Sequence, residues 1–147
     1  MIQRVRFFAE DELVALPGVA STGVISIVDP PHLSDPEFGH RFAELQEGWY
    51  SILRLWFHDI SKPWQNYILF DDELADIVID WLLLHERKLS CVYVHCAAGE
   101  SRSAGVARFL CKVYGVPFDS EAGKGFNPRV YRVLVNRWHK RKLRRSG

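Results

Sequence analysis

Short β-prone runs alternate along this chain with stretches of helical periodicity, and that alternation restricts the fold more than any other feature. Val24-Ile25-Ser26-Ile27-Val28 reads as a buried strand. Asp29-Pro30-Pro31 ends it, because proline has no N–H to give to a ladder or a helix. Val5–Phe8, Ser51–Phe57 and Cys91–His95 are further strand candidates, with Trp56 expected in the core. Glu10–Leu16 is acidic and helix-prone, and Pro17-Gly18 punctuates it. Leu74, Ile77, Val78, Trp81, Leu82 and His85 recur at helical spacing, predicting an amphipathic helix over about 71–88 with Asp71 or Asp72 as its cap.

Arg102–Tyr114 is a second helix, with Val106, Phe109, Leu110 and Val113 on one face and Gly115 just past its end. Asn127-Pro128 resembles an N-cap followed by proline at the first helical position. The last helix, about 128–142, turns Val130, Tyr131, Leu134 and Trp138 inward. Residues 32–48 read as loop with a helical turn around Arg41–Gln46, and 58–67 and 116–127 are loops as well. The order implies an α/β fold: a mostly parallel central sheet flanked by helices, in a single domain over residues 1–147. At 48% hydrophobic the chain can bury a core. Ligands of such sheets bind beyond the carboxyl ends of the strands.

The formal net charge of +1 conceals a division. Residues 1–121 hold 10 basic and 18 acidic residues, whereas 122–147 hold 9 basic residues and no acid. The basic tail, about 139–147, could meet nucleic acid or an acidic surface, but a solvated, frayed helix end is the preferred reading. Cys91, Cys96 and Cys111 are too few for a disulfide framework and lack metal-binding spacing, so a reduced, cytoplasmic protein without bound metal or cofactor is expected. Met1–Arg6 is followed by no long apolar run, and no run approaches the length of a membrane span.

The chemistry resides in Val92-Tyr93-Val94-His95-Cys96-Ala97-Ala98-Gly99-Glu100-Ser101-Arg102-Ser103. A strand ends at a cysteine, and a helix begins at an arginine six positions on. The loop between, Ala97 to Ser101, can turn backbone N–H groups inward as a cradle for a tetrahedral anion, aided by the helix dipole. Gly99 permits a backbone conformation that a side chain resists. Arg102 can fork two phosphate oxygens. Cys96 lies at the floor, where a positive field favours the nucleophilic thiolate. Ser103 can donate a hydrogen bond to that sulfur, and His95 is expected to brace the loop backbone rather than act as a base.

This stretch resembles the signature loop of the cysteine-dependent protein tyrosine phosphatases, and most closely their small dual-specificity, bacterial and phage forms. The resemblance implies a phosphotyrosine protein phosphatase-like fold and a phosphocysteine intermediate on Cys96. It also implies a general acid on a loop a few tens of residues earlier. Asp59, 37 positions before Cys96, is the choice, with Asp71 and Asp72 as rivals better suited to capping. His58 is expected to be a surface loop residue, while Trp64 and Tyr67 can line the entrance. Asn127 caps its helix and is a candidate to brace the catalytic loop.

None of the variable loop positions is basic, and Glu100 is acidic, which argues against polyphosphorylated inositols. A phosphorylated protein is therefore the expected substrate, at phosphotyrosine or also at phosphoserine and phosphothreonine. Two alternatives stand beside it: an RNA 5′-phosphatase of the same architecture, motivated by the basic tail, and a phosphoprotein-binding pseudophosphatase. Some relatives protect the oxidised nucleophile with a neighbouring thiol. Cys91 is odd in phase with Cys96 and points to the opposite face, and Cys111 lies more than two turns into the next helix, so both are expected to be buried and inert.

Overall fold

The computed structural model describes residues 1–30 and 42–146. Its elements are β1 (Arg4–Ala9), α1 (Glu10–Val14), β2 (Thr22–Val28), β3 (Ser51–Trp56), α2 (Asp72–His85), β4 (Cys91–Cys96), α3 (Arg102–Tyr114) and α4 (Pro128–Ser146). The four strands form one sheet in the order β1-β4-β2-β3, parallel throughout. A parallel sheet must be covered on both faces. β2, in its interior, is buried at every position.

The two covers are unequal. On the thicker side α2, α3 and α4 pack over Ile25, Ile27, Leu55, Val92 and Val94, with Phe109, Leu110, Leu134 and Trp138 completing the core. On the thinner side Phe8, Leu13 and Val24 are the buried centre, with Leu45, Trp49, Ile52 and Tyr93 against them. Burial of each large apolar side chain on the thicker side stabilises the fold by roughly 1.5–3 kcal/mol.

Local chemistry sets the element ends. Asp71 caps α2 by accepting the Leu74 N–H at 3.0 Å. Gly115 closes α3 in the left-handed conformation, φ 67°.

Four sequence expectations are corrected. Trp56 is 40% exposed. Strand alternation gives Leu53 and Leu55 to the thick core and leaves Trp56 in the opposite phase, at the end of edge strand β3. Ile77 is 45% exposed because α2 buries Ala75, Val78, Ile79 and Leu82, a stripe rotated away from it, and the helix stops at His85. Residues 42–46 carry no helical turn, and Arg41 lies outside the described residues.

The basic end of α4 is helical to Ser146 rather than frayed. The Arg137 guanidinium donates to both carboxylate oxygens of Asp76, at 2.8 and 3.1 Å. Arg141 reaches Asp76 at 3.3 Å and Asp80 at 2.5 Å. The guanidiniums, Arg137 first, hold the Asp76 carboxyl below its ordinary range. No helix among the described residues is long and apolar enough to cross a membrane.

Candidate active site

The carboxyl end of β4 delivers Cys96 to a loop that enters α3 at Arg102. Cys96 is 2% exposed, while Ala97, Ala98 and Glu100 form an exposed rim above it. The Gly99 N–H points at the Cys96 sulfur at 3.3 Å, and the Ser103 hydroxyl lies 3.1 Å from it. A thiolate accepts both. Gly99 adopts φ +73°, and a Cβ there would stand 2.4 Å from the Ala9 nitrogen. The loop is thus folded tightly onto the end of β1, where the Glu10 N–H also donates to the Ala97 carbonyl at 3.3 Å.

Arg102 is buried, and one nitrogen anchors it. Nη1 donates to Asp29 Oδ1 at 2.7 Å and to the Phe57 carbonyl at 2.8 Å. Nε is also buried and has no partner among the described residues. An arginine fixed in this way presents its Nε edge as a preset fork for two oxygens of a tetrahedral anion. Asp29 was legible in the sequence only as the end of a strand. Its role depends on β2 lying beside β4, so that two carboxyl ends meet.

Asp59 is brought to the same place. Its Oδ1 accepts the Ser101 hydroxyl at 2.7 Å and the Asn127 side-chain amide at 2.9 Å. Its rivals are occupied with α2: Asp71 is the cap and Asp72 lies in the first turn. Asn127 both caps and braces. Its Oδ1 accepts the N–H groups of Arg129 and Val130, at 3.0 and 3.2 Å.

His58 is a half-buried loop residue that shares in the hydrogen bonding of the loop carrying Asp59. Its Nδ1 accepts the Ile68 N–H at 2.7 Å, and its ring stacks on Tyr67 with centroids 4.3 Å apart. Trp64 and Tyr67 stand on that loop, 58% and 48% exposed.

His95 is fully buried. Its Nε2 lies 2.5 Å from Ser26 Oγ, and its Nδ1 lies 3.5 Å from the Cys96 carbonyl. Burial pushes its pKa down to about 4, so the ring is neutral near pH 7. Donation from Nδ1 to the carbonyl leaves Nε2 to accept the Ser26 hydroxyl, a bracing arrangement. Ser26 was not singled out in the sequence, and its place opposite His95 follows from the β2–β4 register.

The other thiols are buried, and burial raises the pKa of both, that of Cys111 to about 11. Neither is poised for reaction. Among the described residues no group of three or more His, Cys, Asp or Glu side chains could hold a metal ion.

No protein-family model matches the chain, and no curated protein matches it in sequence. Solved structures similar to it include the following three. The crystal structure of PTPMT1 shares 22% identity over 95% of this chain and 98% of that one, at a TM-score of 0.47. That of Tk-PTP in the active form shares 20% over 91% and 92%, at 0.49. That of the human tyrosine phosphatase-like serine/threonine/tyrosine-interacting protein shares 18% over 87% and 80%, at 0.45. What the site can do rests on its own geometry.

Proposed function

We propose that this chain is a cysteine-dependent phosphomonoesterase of the protein tyrosine phosphatase superfamily. The carrying observation is the guanidinium of Arg102, held at Nη1 with its buried Nε lacking a partner among the described residues, beside a cysteine sulfur within hydrogen-bond distance of the Gly99 N–H and the Ser103 hydroxyl. Asp59 stands at the same loop, on Ser101.

The reaction has two displacements. The Cys96 thiolate attacks phosphorus, the bond to the leaving oxygen breaks, and Asp59 gives that oxygen its proton. Arg102 and the amides of Ala97–Ser101 hold the equatorial oxygens as charge redistributes. Water then attacks the phosphocysteine, Asp59 takes the water's proton, and sulfur leaves with the Ser103 hydroxyl donating to it. Neutral His95 moves no proton and keeps the loop in shape.

Phosphotyrosine on a protein is the substrate most in keeping with the site, with phosphoserine and phosphothreonine next. The rim has no basic residue, and the loop that carries Asp59 exposes Trp64 and Tyr67. RNA is the weaker reading, because Arg141 of the tail, like Arg137 just before it, is engaged with α2. The test is hydrolysis of an aryl phosphate and a phosphotyrosine peptide by the purified chain and its Cys96→Ser variant. Vanadate-sensitive, chelator-insensitive turnover that Cys96→Ser abolishes is expected. Full activity in the variant refutes the mechanism.

A further inference from the structure

Asn127 makes more hydrogen bonds at the site than an N-cap requires. It is 4% exposed, and its side chain is saturated. The two Nδ2 hydrogens go to Asp59 Oδ1 at 2.9 Å and the Ile60 carbonyl at 3.1 Å. Oδ1 takes the Arg129 and Val130 N–H groups. A flipped amide would set its oxygen against two acceptors and its hydrogens against two donors, so the orientation is fixed. The backbone N–H of Asn127 donates to the Ser101 carbonyl at 3.0 Å. One residue therefore joins the acid loop, the catalytic loop and the start of α4, across 68 positions of sequence to Asp59.

From this we infer that Asn127 is a positioning residue for the acid step, an inference that rests on reading the site as a phosphatase. Two donors, the Asn127 amide and the Ser101 hydroxyl, converge on Oδ1 of Asp59. An oxygen receiving two donors has no room for a proton of its own, so the proton of the acid form resides on Oδ2. The carboxyl is thereby oriented before substrate arrives, and the ordering is done by side chains that never touch the phosphate. An acid held in place loses less entropy on reaching the transition state.

The test separates this role from capping. Ser and Asp both serve as N-caps, so Asn127→Ser and Asn127→Asp retain the acceptor for α4 while removing the amide donor. Each variant is assayed on two phosphate monoesters, one with a poor alkyl-like leaving group and one with a highly activated aryl leaving group. Turnover of the poor ester should fall roughly tenfold or more, and that of the activated ester by less than about threefold. Adding either change to Asp59→Asn should produce no further loss on the poor ester. Equal losses on both esters, or losses that multiply with Asp59→Asn, overturn the assignment. Inactivity of the unmodified chain overturns the phosphatase reading itself. A flat Asn127 profile alongside wild-type turnover that Cys96→Ser abolishes overturns only the role of Asn127.

Discussion

Asp29 Oδ1 lies 2.7 Å from Nη1 of Arg102, pairing a side chain that is 70% exposed with one that is 5% exposed. The arrangement resembles a bracket holding a buried cation from the solvent side. Its value lies in orientation more than in stability, since an exposed partner is screened by water.

Removing the bracket should weaken phosphate recognition. Asp29→Ala is expected to lower kcat/KM roughly tenfold, mainly through KM, and to weaken inhibition by inorganic phosphate in parallel. Asp29→Asn keeps an acceptor oxygen and should stay within about threefold. Steady-state kinetics on an aryl phosphate decide it. An alanine variant matching wild type at low substrate would show that the Phe57 carbonyl suffices.

Ser103 should matter most in the second displacement, when sulfur departs. Ser103→Ala is expected to reduce kcat about 10- to 100-fold while leaving the first turnover on an activated ester nearly intact. Rapid quench should trap labelled phosphoenzyme and show a burst. Equal slowing of the burst and the steady state would assign Ser103 elsewhere.

The buried imidazole of His95 makes stability depend on pH. Its folded pKa, about 4, lies below the ordinary value of 6.5, so between those pH values the unfolded chain binds more protons than the folded one. Stability is complete above about pH 6.5 and is lost as pH falls towards 4. Between pH 7 and pH 5 the His95 contribution should fall by about 2 kcal/mol. Urea unfolding at the two values measures it, and His95→Gln should flatten the difference. An unchanged slope in the variant would place the proton uptake at another group.

Two left-handed glycines should respond differently to the same substitution. At Gly115, φ +67°, a Cβ would meet nothing within 4 Å, so Gly115→Ala should cost only the backbone penalty of about 1–2 kcal/mol and leave turnover intact. Gly99→Ala adds a collision with the backbone of β1 and should cost more, with loss of activity. Thermal unfolding and turnover of both variants provide the comparison. An active Gly99→Ala variant would mean that the loop can be rebuilt away from β1.

Much of the architecture was legible because its signals are local. The β4–loop–α3 unit carries its strand, its glycine and its helix start within one continuous stretch, and α3 begins and ends where the sequence places it, at Arg102 and Tyr114. Cys96, Arg102 and Ser103 could be read together for the same reason. Asp59 is chosen from the resemblance and from its position, and its carboxylate meets the Ser101 hydroxyl.

What escaped notice depends on strand order. Asp29 and Ser26 act on partners 73 and 69 positions away, and no periodicity announces such contacts. The same applies to Arg137 and Arg141, whose charge run reads as solvated until α2 is seen beside it. Trp56 was misplaced because a strand's phase does not reveal which face is thickly covered.

The guanidinium of Arg102 closes two long chain loops at once, to Asp29 and to the end of β3. Such closures come late in folding, because distant segments must meet before the contact stabilises anything. Recovery of turnover during refolding should therefore lag behind recovery of helical signal. Under the proposed reaction, turnover is then a readout of those long-range contacts rather than of secondary structure.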